Sequence, residues 1–159
     1  MKTIKSLFFA TILLATIYSC KKSNTGIAVG TWSATINGKQ QSGFTAASYL
    51  NEVNTLTITM TSAQGVFYPN MSLTIVADTI VTPGVYPLTS SILSNYGEYT
   101  VDSSDVYLSY TGQWNLNTLN YAGKTVKGTF NFSGYNPNNG DSIVVTNGTF
   151  TDGALIVAD

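Results

Sequence analysis

The chain has 159 residues with seven lysines, no arginine, no histidine and eight carboxylates, for a formal net charge of −1. The missing histidine removes the usual base near neutral pH and the commonest transition-metal ligand, so Ser-His and Cys-His catalysis are excluded, and the lack of basic patches disfavours nucleic acid as a partner. A single cysteine allows no internal disulfide, and with only 9 % charged residues, Thr, Ser, Asn and Tyr must keep the surface wet.

Lys2 and Lys5 precede an uncharged stretch from Leu7 to Ile17. About eleven apolar residues fall short of the roughly 20 that span a bilayer, and with the small residue Ser19 at the end they read as a signal peptide over residues 1–19. Ile17-Tyr18-Ser19-Cys20 resembles the bacterial lipobox, with Tyr18 bulkier than usual at its position. The resemblance implies cleavage after Ser19, diacylglyceryl transfer to the Cys20 sulfur and acylation of the new amine. One acyl chain holds a protein to a membrane only marginally, at about 0.8 kcal/mol per buried CH₂, and several make the attachment lasting. The expected partner at this end is therefore the membrane, through the lipid on Cys20. The remaining 159 − 19 = 140 residues carry five lysines and eight acids, a balance of 5 − 8 = −3, and suffice for one core. Residues 20–28 read as the lipidated Cys and a short tether, and 29–159 as a single β domain.

From Val29 the pattern alternates. Trp32, Ala34 and Ile36 share one face, and Asn37-Gly38 is a type I′ hairpin signal. A strand over Lys39 to Ala46 follows, with Phe44 and Ala46 expected inward; Phe44 to Val53 is the one place for a helical turn. Leu56, Ile58 and Met60, then Met71, Leu73, Ile75 and Ala77, mark two half-buried strands. Thr82-Pro83-Gly84 predicts a turn with Gly84 at positive φ, and Pro87 confines Val85 to Leu88 to an edge or bulge. Tyr99 and Val101, then Val106, Leu108 and Tyr110, then Trp114 and Leu116 continue the alternation. Thr125 to Ser133 and Ile143 to Phe150 form a hairpin around Asn136-Pro137-Asn138-Asn139-Gly140, with a bulge expected at Asn147-Gly148.

About eight to ten strands and no ten-residue helical run predict an all-β fold. The expectation is an antiparallel two-sheet β-sandwich, with an up-and-down barrel as the alternative. The segments Trp32 to Lys39, Leu56 to Thr59, Pro83 to Tyr86, Lys127 to Phe132 and Val145 to Phe150 resemble a family of small uncharacterised Bacteroidota lipoproteins. The resemblance spans nearly the whole mature chain and implies fold and compartment, with no mechanism attached. Surface lipoproteins of that group carry acids directly after the lipidated cysteine; Lys21-Lys22 here implies an outer-membrane anchor facing the periplasm, with the cell surface as the alternative.

Four sets of residues are candidates for function. Asp102 and Asp105, with Glu98 nearby, offer carboxylates to calcium or a glycosidic bond, against a plain turn-forming role. Asn136, Asn138, Asn139 and Asp141 have the oxygen content of a cation loop but lack the Asp-x-Asp-x-Asp-Gly spacing; no metal or cofactor is expected. Among the aromatics, Tyr110 is expected to share the core face with Val106 and Leu108, leaving Tyr96, Tyr99 and Tyr107 as the exposed platform for a ligand. Asp78-Thr79-Ile80 and Asp141-Ser142-Ile143 resemble a three-residue O-glycosylation motif of Bacteroidota envelope proteins, with Thr79 and Ser142 as acceptors. The expected function is a non-enzymatic envelope module that binds a glycan, a peptide or another envelope protein; a structural component and a carboxylate-dependent glycan hydrolase are the alternatives.

Overall fold

Asn37 and Gly38 both take positive φ, 47° and 79°, as a type I′ turn requires. They join strand β1 (Gly30–Ile36) to β2 (Lys39–Leu50) with Ile36 opposite Lys39. The computed structural model describes residues 30–63 and 68–158; the expected signal peptide with Ser19, Cys20 and the expected tether lie outside them. One 3-10 turn at Asn51–Val53 and left-handed Asn54 lead into β3 (Thr55–Ser62). β4 (Asn70–Val76), β5 (Gly84–Pro87), β6 (Tyr96–Thr100), β7 (Val106–Asn120), β8 (Thr125–Tyr135) and β9 (Ser142–Ala158) follow.

The sheet does not split into two layers, and the expected sandwich is overturned. Neighbouring strands run in the order β7-β6-β4-β3-β2-β1-β9-β8, and β8 returns to β7, from Leu108 opposite Tyr135 to Asn120 opposite Thr125. Eight strands thus close into an antiparallel barrel, with β5 as an edge strand paired to the second half of β7. Where β1 begins, the end of β9 passes it and pairs in parallel with β2, Ala46 opposite Ala154 through Leu50 opposite Ala158. Period-two alternation marks one wet and one dry face, which a sandwich and a barrel share. Closure depends on strand length: β7, β8 and β9 have 15, 11 and 17 residues, long enough to carry bulges and curve around the axis.

An eight-stranded barrel is just wide enough for side chains to fill, and this one is filled. Trp32, Tyr49, Leu56, Ile58, Met60, Leu73, Trp114, Phe130, Phe150 and Leu155 are all at most 3 % exposed. Trp114 and Phe150 meet edge to face at 5.9 Å. One end is closed by a strap, residues 77–83, which turns Val81 inward. The strap is pinned by Tyr121, whose hydroxyl donates to the Val81 carbonyl at 2.8 Å, and by Ala77 N–H donating to Asn54 O at 3.3 Å. At the same end the rings of Tyr49 and Tyr121 touch edge to face at 5.0 Å. The other end carries the 37–38 turn and the 101–105 and 136–141 loops.

Two strands present the opposite face from that expected. In β2 the buried residues are Gly43, Thr45, Ala47 and Tyr49, while Phe44 and Ala46 are exposed. In β7 a bulge at Tyr110 puts Ser109 inside and Tyr110 outside, before Trp114 and Leu116 resume the inward face. Gly84 is extended strand and not a positive-φ turn residue. The bulge at Asn147-Gly148 is present, with Asn147 at φ 52° and β9 continuous through it.

Candidate functional site

The expected platform residues separate. Tyr99 faces the interior at 5 % exposure, opposite Met71, and its hydroxyl is 3.1 Å from Gln41 Nε2, which donates to it. Tyr107 pairs with Tyr99 across β6 and β7, rings 6.5 Å apart, and packs against the core. Its hydroxyl is pushed above its ordinary range, first by lost hydration and then by the negative charges of Asp105 and Asp141. Tyr96 is half-buried, opposite Thr74. None of the three is an open ring.

The exposed ring pair is Tyr110 and Tyr135, 52 % and 37 % exposed, with centroids 6.3 Å apart and planes at 58°. Tyr135 was legible in the sequence, because Val126, Phe130, Phe132 and Gly134 fix the inward parity of β8. Tyr110 was hidden by the bulge, which re-aims its side chain. Beside the pair, on the outer face of β7, β8 and β9, runs an open groove of about 260 Å³. Its walls are Thr111, Asn131, Ser133, Val144 and Thr146, and its floor is the backbone of Gly112, Phe132 and Val145. Hydroxyls, one amide and one half-exposed Val144 thus lie next to two aromatic faces. Such a surface can hydrogen-bond and stack at once, and it carries no charge of its own.

The two oxygen-rich loops, separate in the sequence, come together. Asn136 is fully buried, and its Nδ2 donates to Asp105 Oδ1 at 3.1 Å. Its backbone N–H donates to Asp141 O, its carbonyl accepts from Gly140 N–H, and its Oδ1 accepts from Asn138 N–H, at 2.8, 2.8 and 2.9 Å. Asp102 Oδ1 accepts from Ser104 N–H and Oγ–H and from Asp105 N–H, at 2.8, 2.7 and 3.1 Å. Glu98 accepts from the Thr100 hydroxyl at 3.1 Å. Asp102 and Glu98 thus organise their own segments and Asp105 ties its loop to the other, and no group of three or more acids or cysteines among the described residues is placed to hold a metal. Thr79 is exposed on the strap and Ser142 is exposed at the start of β9.

The Asp102 bonds make a titration prediction. The Ser104 backbone N–H, the Ser104 hydroxyl and the Asp105 N–H, in that order, hold the Asp102 carboxyl below its ordinary value. A depressed acid stabilises its loop above the unfolded-state value, roughly 3.9, and loses that contribution as pH falls through the lower folded value. NMR titration should give Asp102 a midpoint below that of an unstructured aspartate, with the Ser104 and Asp105 amides shifting at the same pH. A midpoint at or above the ordinary value would mean the turn does not hold in solution.

These features define a class: a small closed β-barrel with a filled interior and an open groove on its outer wall. Residues 30–154 match the family described as Domain of unknown function (DUF6252), and the chain belongs to that family. No curated protein and no solved structure matches the chain.

Proposed function

We propose that this is a lipid-anchored module of the bacterial envelope that binds a glycan chain on its outer wall and does no chemistry on it. The observation that carries the reading is the exposed Tyr110–Tyr135 pair beside the groove of Thr111, Asn131, Ser133 and Thr146. Sugars offer C–H faces to rings and hydroxyls to amide and hydroxyl partners, and an uncharged surface suits an uncharged or weakly charged chain. The filled barrel supports the same reading, since a ligand must be met on the outside. The lipobox-like residues up to Cys20 support the anchor, and Lys21-Lys22 directly after it, taken with the Bacteroidota resemblance, support an outer-membrane position facing the periplasm.

Glycan-array and pull-down screening of the mature protein tests the function. Removing a central aromatic anchor typically costs 1 kcal/mol or more, about a factor of five to ten in affinity. Tyr135→Ala and Tyr110→Ala should each weaken binding by roughly that much, and Tyr96→Ala should leave it unchanged. Glycan binding indifferent to both substitutions, or capture of only peptides and proteins, would overturn the reading.

A further inference from the structure

The two ends of the barrel differ in chemistry. The strap end exposes Leu50, Val53, Val76, Ile80, Ile156 and Val157, between 37 % and 57 % each. They belong to one surface: Leu50 is opposite Thr55 and Ala158, Thr55 is opposite Val76, and Ser48, two residues before Leu50, is opposite Ile156. Val53 lies in the adjoining 3-10 turn and Ile80 on the outer side of the strap, which hydrogen-bonds to Asn54. The described charges at this end are few, Glu52, Asp78 and Lys124, for a balance of 1 − 2 = −1. The opposite end exposes Tyr68 and Val101 among the described residues, but there the loops are Asp102 to Asp105 and Asn136 to Asp141.

The start of β1 sets how far each end lies from the segment before it. β1 begins at Gly30 and runs toward the polar end. Gly30 is opposite Thr45, and β2 continues five residues further to Leu50, about 17 Å at the rise of a strand. Residues 21–29 span at most about 30 Å. That length lets Cys20 reach beyond the strap end, and the aliphatic side chains exposed there choose that end over the polar one.

We infer that the strap end, through Leu50, Val53, Val76, Ile80, Ile156 and Val157, seats on the surface of the bilayer that holds the Cys20 lipid. The inference rests on the anchor proposed above. Aliphatic side chains at the boundary of headgroups and acyl chains gain from burial in proportion to area, and the barrel then stands upright. The Tyr110–Tyr135 wall and the two polar loops point away from the membrane. Thr79 is covered, so of the two acceptor-like hydroxyls only Ser142 stays open.

Because lipidation consumes the only native cysteine, an introduced one can be labelled alone. Val53→Cys and Asn138→Cys, each carrying an environment-sensitive fluorophore, are compared in the full lipidated protein in phosphatidylethanolamine–phosphatidylglycerol vesicles containing nitroxide lipids. The label at 53 should shift blue and be quenched several-fold more by the nitroxide lipids than the label at 138. Acylated protein whose two labels are quenched alike overturns the seating and leaves the anchor standing. A label at 53 that is shielded but not quenched by lipid means that protein, a second copy or another partner, covers the end, and also overturns it. Absence of the acyl mass on the mature protein overturns the anchor and the seating together.

Discussion

Gly43→Ala should destabilise the barrel by about 3 kcal/mol, while Gly84→Ala should be close to neutral. Gly43 lies between Trp32 on β1 and Ser62 on β3. The Trp32 indole folds over it, so that Nε1–H donates to the Thr61 carbonyl at 2.8 Å. A Cβ built on Gly43 would press into that carbonyl oxygen and would stand 2.8 Å from the indole nitrogen and 2.9 Å from the Ser62 carbonyl carbon. Two of these three obstacles are backbone, which cannot rotate aside, so β3 must move. Overpacking of this kind costs about 1–3 kcal/mol, and losing the sheltered indole hydrogen bond about 1–3 more. At Gly84 the nearest atoms are those of the Tyr86 ring at 3.7 Å or more, an ordinary contact, and φ is not positive. Loss of freedom in the unfolded chain can then offset any cost, by roughly 0.5 kcal/mol. Urea unfolding of both variants is the measurement. Equal midpoints would mean that β1, β2 and β3 do not close over Gly43.

The same position shows where sequence reading reaches its limit. Both parities of β2 look plausible, because Phe44, Ala46 and Leu50 compete with Thr45, Ala47 and Tyr49 for the inner face. Hydrophobicity favours Phe44, yet the close approach at Gly43 fixes the other choice, and that approach is set by Thr61, 18 positions later in the chain. Features fixed by local signals are read correctly: the Asn37-Gly38 turn, the β3–β4 alternation and the β8–β9 hairpin with its Asn147 bulge. What is not legible depends on distant pairing. The ring closes only because β7 binds β8 along most of its length while also holding β6 and β5. The candidate site divides in the same way. Tyr135 follows from β8 parity, and Tyr110 does not, because one extra residue in β7 reverses its face. The union of the 101–105 and 136–141 loops depends on the Asn136–Asp105 bond between positions 31 apart.

That extra residue is stabilised from inside by Ser109, and Ser109→Ala should cost about 2–4 kcal/mol. The hydroxyl is fully buried; it accepts from Gly97 N–H at 2.8 Å and donates to Thr89 O at 2.7 Å. It thus ties β6 and the segment after β5 to β7 at the point where neither strand covers the other's backbone. Alanine leaves a donor and an acceptor unpaired, at about 1–3 kcal/mol each, moderated by whatever water can reach them. Ser109→Cys, a weak donor and acceptor of similar shape, should recover part of the loss, which simple packing at this position would not predict. Amide exchange at Gly97, whose N–H loses its acceptor, should accelerate before the rest of the barrel responds, since the affected bond is local. Tyr110 is the next residue along, and a β7 free to pair without its bulge would turn that ring inward and separate it from Tyr135. Ser109→Ala should therefore weaken ligand binding at a temperature where the barrel is still folded. Unchanged exchange at Gly97 would show that the hydroxyl is not what holds the bulge.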